Sequence, residues 1–431
     1  MNSVTDDAIR ICQELIRIPS VNYGDGKGNE KEIADYVVAS LKEVGIDAKI
    51  YESAPGRCNV VAKMEGVDTS RPGLVVHGHL DVVPAAPEDW SVDPFAGIIK
   101  DGAIWGRGAV DMKNMDAMII AVMRHWARNN IKPPRNMVFV FFADEEAGSI
   151  YGSRWMVKEH PEVFAGCSEA VSEVGGFSVT LANGKRIYMF ESAQKGINWI
   201  RLTAKGLAGH GSFINNENAV TALATAVSKI GNHEWPQTYT NAVNELFAGI
   251  AKALGKPLAS DYRELLIEIP SVSRMIAATL QNTANPTMLD AGYKTNVIPK
   301  EAHAMVDGRF LPGYEEDLIN TIKEIVGPEI EVETITRDKA LDVPFAGPLV
   351  EAMKNSVLKL DPEAIPVPYL MSGGTDNKAL SDLGIVGYGF TPMRLPDNLD
   401  FMALFHGNDE RIPLDALDFG VKALEDFLLN S

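Results

Sequence analysis

The sequence predicts an α/β protein with a mixed, largely parallel sheet between helices, interrupted by an inserted βαββαβ unit of ferredoxin-like order. Three observations predict it. Apolar β-branched runs such as LVV in PGLVVHGHLDVV (72–83) and VFVFF (138–142) alternate with helical patterns of 15–20 residues. After about residue 190 the strand-like segments alternate apolar and polar residues, as half-exposed antiparallel strands do. At 431 residues the chain exceeds one ordinary core, so two domains are expected.

The elements follow in order. MNSVTDDAIRICQELIRIPS sets acids after Thr5 and places Ala8, Ile11, Leu15 and Ile18 at helical spacing. It reads as an N-capped amphipathic helix rather than a signal peptide. Ile33, Val37, Val38, Leu41 and Val44 form one face of a second helix, and DAKIYES and NVVAKMEG follow as short strands. Segment 111–130 carries Met115, Met118, Ile119, Val122 and Trp126 at helical spacing, and NMVFVFFADEE is a buried strand. The expected inserted unit runs through 196–206 (strand), 217–230 (helix), 275–285 and 296–313 (strand-like), 314–327 (helix) and 329–337 (strand). A further helical segment, 241–255, lies inside it. The expected division is 1–192 with 341–431 as the principal domain and 193–340 as the inserted one.

Forty basic against 58 acidic residues give a formal charge of −18, which argues against nucleic acid or an anionic membrane surface as a partner. No apolar stretch approaches the roughly 20 residues of a membrane span. Cys12, Cys58 and Cys167 are scattered and form no CxxC, so a disulfide framework or thiolate zinc site is not suggested. A cytoplasmic location is expected.

Several motifs bear polar chemistry. His77, His79 and Asp81 share one face of an extended HGHLD segment. They read either as a metal site with a supporting carboxylate or as a hydrogen-bonded pair at a strand end. Asp111, in GRGAVDMK, reads equally as an N-cap, with Lys113 and Asp116 on a solvated helix face. Asp144, Glu145 and Glu146 end an apolar strand, where side chains of α/β sheets face the ligand crevice. A helix starting after them accounts for one or two acids in its first turn, not for three. Glu173 in SEVGG and His406 in FHGNDERIP complete a set of nitrogen and oxygen donors without cysteine, which suits two zinc, cobalt or manganese ions.

HGHLDVV, GRGAVDMK, ADEEAGS, SEVGG and FHGNDER resemble, in order and over nearly the whole chain, the motifs of the zinc-dependent aminoacylase and carboxypeptidase family. That family includes acetylornithine deacetylase, succinyl-diaminopimelate desuccinylase, glutamate carboxypeptidase, carboxypeptidase S and carnosinase-like dipeptidases. The resemblance implies two Zn2+ per subunit, with Co2+ or Mn2+ as substitutes. His79 and Glu173 would hold one ion, Glu146 and His406 the other, and Asp111 would bridge them. Asp81 would orient His79, Glu145 would be the general base, and His77 would be a packed strand residue. The resemblance also implies that the inserted domain is a lid and dimerisation unit. In it His210 would stabilise the oxyanion across a homodimer, and Asn296 and Arg309 would bind substrate. Gly373, Gly374 and Lys378 fall in the family's substrate loop, where many members carry arginine in place of Lys378. The implied activity is hydrolysis of a peptide or N-acyl amide beside a free carboxylate, dipeptidase- or carboxypeptidase-like or aminoacylase-like. The alternatives are a silent amino-acid-binding relative and a metal-free carboxylate glycosidase. The first leaves an intact set of ligand candidates unexplained; the second leaves two histidines without work.

Overall fold

The structure is a computed structural model and describes residues 3–24 and 26–431. Its main sheet has ten strands, along the path 48–54, 57–64, 137–142, 73–79, 167–172, 386–389, 186–194 and 341–342. The central block Met137–Phe142, Gly73–His79, Cys167–Ser172 and Val386–Gly389 runs parallel. The flanking pairs 48–54 with 57–64, 57–64 with 137–142 and 177–180 with 186–194 are antiparallel. The first three parallel strands are apolar through most of their length because helices cover both faces. On one side these are Val4–Ile16, Lys113–Asn129 and Leu414–Asn430, which pack on one another. The first helix is capped by Ser3, whose side chain accepts from the Asp6 amide in a reciprocal box.

The second sheet has four antiparallel strands in the order 283–291, 301–310, 196–205 and 330–338. Helices Ala219–Gly231 and Glu315–Val326 bury Leu223, Ile230, Leu318 and Ile322 in its own apolar core, with Ile200, Leu202 and Val306. The connectivity is βαββαβ, as expected.

Three local expectations are corrected. Residues 275–285, expected to be a strand, begin as the helix Ser273–Ala277, and the strand starts only at Thr283. The helix expected to start after the acids of 144–146 begins only at Ser153 and runs to Glu159. The helix Asn241–Leu254 and the turns to Leu280 lie within the inserted stretch of sequence, yet pack on the principal core rather than on the second sheet. Gly249 meets the strand Ile365–Met371 so closely that a Cβ there would lie 2.3 Å from Val367 Cγ1. Phe247, fully buried and stacked on Tyr262 at 4.6 Å, anchors this cover. Phe247→Ala is expected to cost about 3–5 kcal/mol of stability, read by denaturant unfolding, as for other buried aromatic truncations.

Candidate metal centre

The central parallel strands deliver their C-terminal ends to one place. His79 ends one strand, Asp144–Glu146 follow the next, and Glu173 follows the third. His79 is buried and its Nδ1–H donates to the Asp81 carbonyl at 3.0 Å. A carbonyl only accepts, so this bond places the proton on Nδ1 and frees Nε2. Nε2 lies 3.1 Å from Asp111 Oδ1 and 3.6 Å from Glu173 Oε2. Asp111 turns its other oxygen to His406 Nε2 at 3.3 Å, and that nitrogen is 3.0 Å from Glu146 Oε2. Asp111 therefore stands between the two histidines, with Glu173 and Glu146 on the outer sides.

This arrangement overrides the capping alternative for Asp111, because the helix begins at Lys113 and Met112 supplies no side-chain cap. Lys113 and Asp116 are buried, not solvated. Lys113 Nζ donates to the Leu15 and Ile18 carbonyls at the end of the first helix, and Asp116 lies against Gly78. His77 is the packed strand residue expected: its Nε2 is 2.9 Å from Asn377 Oδ1, and burial pushes its pKa down to about 4.

Asp81 departs from its expected role. Its carboxylate lies 3.6 Å from His79 Nδ1, and it is the backbone carbonyl that takes the ring proton. The carboxylate instead accepts from the Glu145 amide at 3.1 Å and the Glu146 amide at 3.2 Å. Both acidic residues are thereby tied by their backbone to the strand that carries His79.

The electrostatics call for a cation. Burial and the Asp111 carboxylate push Glu146 up to about 7, and burial, in spite of His79, does the same to Glu173. Burial and Glu173 raise Glu145 well above the usual carboxylate range. Burial opposes charge on His79, but Glu173 and Asp111 outweigh it and hold its pKa well above the ordinary value. Glu146 Oε1 is buried without a partner. Oxygens and nitrogens of His79, Glu145 and Glu173, and likewise of His79, Asp111 and Glu146, approach within 4.8 Å of one another. Such a set of nitrogen and oxygen donors fits a dication.

Glu410 is a functional residue that sequence reasoning missed. Buried in FHGNDER, it accepts from the amides of Gly108, Val110 and Asp111 at 3.0, 2.6 and 3.1 Å, and from Arg107 at 2.8 Å. It shapes the loop that presents Asp111. The available signal was an acid in one motif and an arginine in the other.

The remaining candidates have other hydrogen-bond partners. His210 is exposed on the second unit, with Nδ1 2.8 Å from Ser212 Oγ. Asn296 sits beside it, its carbonyl accepting from the Gly211 amide at 3.0 Å. Arg309 donates twice to Asp307, at 2.7 and 3.1 Å. Lys378 is buried and donates to the Lys195 carbonyl at 2.8 Å, with Asp338 at 3.5 Å, and burial lowers its pKa to about 8. Gly374 lies over that ammonium, where a Cβ would come within 2.8 Å; Gly373 lies beside Met371.

Fold and site together define a metal-dependent hydrolase of the α/β class. Residues 75–430 match the peptidase family M20/M25/M40, and the chain belongs to that family. It is 29% identical over 383 residues to a probable carboxypeptidase S-like 2 of Dictyostelium discoideum, covering 83% of this chain and 71% of that one. To an N-fatty-acyl-amino acid synthase/hydrolase PM20D1 of Xenopus tropicalis it is 26% identical, covering 98% and 85%. The structure of the di-peptidase Dug1p from Saccharomyces cerevisiae superposes with a TM-score of 0.73 at 17% identity, covering 99% and 97%. The structure of the Bacillus subtilis YXEP protein, described as a dinuclear metal-binding peptidase from the M20 family, shares the fold with a TM-score of 0.61 at 14% identity, covering 99% and 98%. No helix among the described residues is long and apolar enough to cross a membrane.

Proposed function

We propose that this chain hydrolyses a peptide or N-acyl amide bond beside a free carboxylate, in the manner of a dipeptidase or carboxypeptidase. The observation that carries the reading is Asp111 standing between His79 and His406, with Glu173 and Glu146 outside them. These five residues would hold two zinc ions. When bound, the ions supply Lewis-acid polarisation of the scissile carbonyl and activation of water at neutral pH. Glu145 takes the proton of the attacking water on its carboxylate and delivers it to the leaving nitrogen. Asp81 and the Asp81 carbonyl keep the acidic turn and the His79 ring in register for that transfer.

His210 and Asn296 act at the far side of the substrate, contributed by a second copy of the chain. Supporting this homodimer, Phe213 and Ile214 beside His210 are 70% and 94% exposed, and Tyr293 near Asn296 is 84% exposed. Arg309, oriented by Asp307 through Nε and Nη2, receives the substrate carboxylate on its remaining guanidinium N–H groups. The three unpaired thiols suit a reducing cytoplasm.

The test is a panel of dipeptides and N-acyl amino acids, each with free and amidated C-terminus, given to zinc-loaded and chelated protein. Cleavage of free-carboxylate substrates that chelation abolishes is expected. Arg309→Ala should lower kcat/KM for them about 10- to 100-fold, the loss of one charged hydrogen-bonding partner, while sparing amidated ones. Full turnover by chelated protein refutes the reading. A preference for long N-acyl substrates over every dipeptide selects the aminoacylase-like alternative, which the N-fatty-acyl relative favours.

A further inference from the structure

Asp144 is the one acid of the DEE turn that neither holds metal nor moves a proton in the proposed reaction, and its surroundings give it different work. It sits at φ 66°, in the left-handed region, which asparagine and aspartate enter most readily after glycine, and only where local bonds hold them. Oδ1 accepts from Asn22 Nδ2 at 2.9 Å and from Arg57 Nη2 at 2.8 Å, and Oδ2 accepts from the Tyr151 amide at 3.0 Å. Its carbonyl accepts from the Ser149 amide at 2.6 Å. Arg57 is itself fixed: it forks onto Glu30 at 2.8 and 2.7 Å and lies over the Tyr151 ring. Gly28 leaves the guanidinium its space, since a Cβ there would lie 2.6 Å from Arg57 Cζ. Asn22 spans the gap to the metal-bearing strand, its Nδ2 also donating to Asp81 Oδ2 at 2.9 Å. All of these polar side chains are buried.

We propose that Arg57, with Glu30 and Asn22, is a positioning device for the acidic turn. It pins Asp144 in the left-handed conformation and so divides Glu145 from Glu146, one toward the reacting water and the other toward the metal. Adjacent residues in an extended chain would point to opposite faces of the sheet. A turn locked at Asp144 instead sends both toward the cluster around His79. Buried ion pairs contribute little net stability against apolar replacements, so what this one adds is direction. The inference rests on the roles given to Glu145 and Glu146 above.

The experiment compares full-length Arg57→Met, Arg57→Lys and Asn22→Ala with wild type, each loaded with cobalt(II) as a spectroscopic probe. Arg57→Met is expected to lose about 10- to 100-fold in kcat with KM within about twofold, and about 10-fold or more in cobalt affinity by titration. Its cobalt absorption spectrum should change. Arg57→Lys, which still reaches one carboxylate, should recover part of the loss. Asn22→Ala should shift the spectrum the same way in protein that remains folded at the assay temperature, and it decides the matter if Arg57→Met does not fold. A folded Arg57→Met or Asn22→Ala with wild-type kcat and spectrum overturns the proposal. So does a loss that disappears when the assay is cooled below the variant's melting transition. Glu145→Gln, measured in parallel, separates the two readings. If that variant stays active, the base is misassigned, while the cobalt spectra still report on the turn.

Discussion

Glu145→Gln should leave a folded protein that binds two metal ions per chain and turns over substrate about 10²- to 10⁴-fold more slowly, the usual contribution of a general base. The substitution keeps the volume of the side chain and removes only its capacity to carry a proton. The structure makes this a sharp test, because Glu145 lies close enough to His79 and Glu173 to be a ligand instead. Metal analysis by mass spectrometry, with kcat on the same sample, separates the two roles. Loss of one metal equivalent would make Glu145 a ligand; retained activity would remove it from the reaction. Burial and the neighbouring Glu173 raise its pKa well above that of a free carboxylate.

Removing the metal should destabilise the protein, and more so at pH 8 than at pH 5. In the metal-free fold Glu146 and Glu173 titrate near 7, whereas in the unfolded chain they titrate near 4.5. The folded state therefore holds more protons between those values, and its stability falls as pH rises through that window. His406 acts in the same direction. Its bonds to Asp111 and Glu146 lift its pKa from 6.5 to about 10, so its contribution is lost as pH rises through 10, though a ring more than half exposed is weakly coupled. Bound metal replaces those protons and binds more tightly as pH rises. Metal at 100 to 1,000 times its Kd should add about 3–4 kcal/mol. The difference in melting temperature between metal-loaded and chelated protein should widen from pH 5 to pH 8. A constant or narrowing difference would mean that the carboxylates are neutralised by something other than the ion.

Much of the donor set was legible because metal ligands obey local rules. They follow strand ends, and a glycine or a short motif accompanies each. His79, Glu146 and Glu173 drew notice at strand ends, and Asp111 and His406 in glycine-bearing motifs, while their sorting into a ligand set came from the family resemblance; the structure brings the five side chains together. What was illegible depends on distant partners. Glu410 acts on residues about 300 positions away, and Arg57 reaches Asp144 across 87. Lys113 and Asp116 look like any charged pair on a helix, and only the packing of the first helix and the Gly78 strand buries them. The apolar face of 241–255 was plain from its periodicity, but periodicity names a buried face without naming the surface that buries it. The strand expected over 275–285 failed for a related reason. Short apolar segments do not separate helix from strand until tertiary contacts choose.

The placement of the helix Asn241–Leu254 has a consequence for how the two sheets move. The chain passes between them four times, near residues 195, 236, 282 and 339, rather than the two times a simple insertion requires. At this seam Lys195 Nζ donates to the Ala278 and Gln281 carbonyls at 3.0 and 2.8 Å, and Asn282 accepts from the Leu311 amide at 2.8 Å. Four connections in place of two restrict how far one sheet can shift against the other. The second sheet is also not a detachable module. Cutting out 196–338 and joining the ends would strip the main sheet of Phe247, Leu246 and Ile250 and lay the strand Ile365–Met371 open to water.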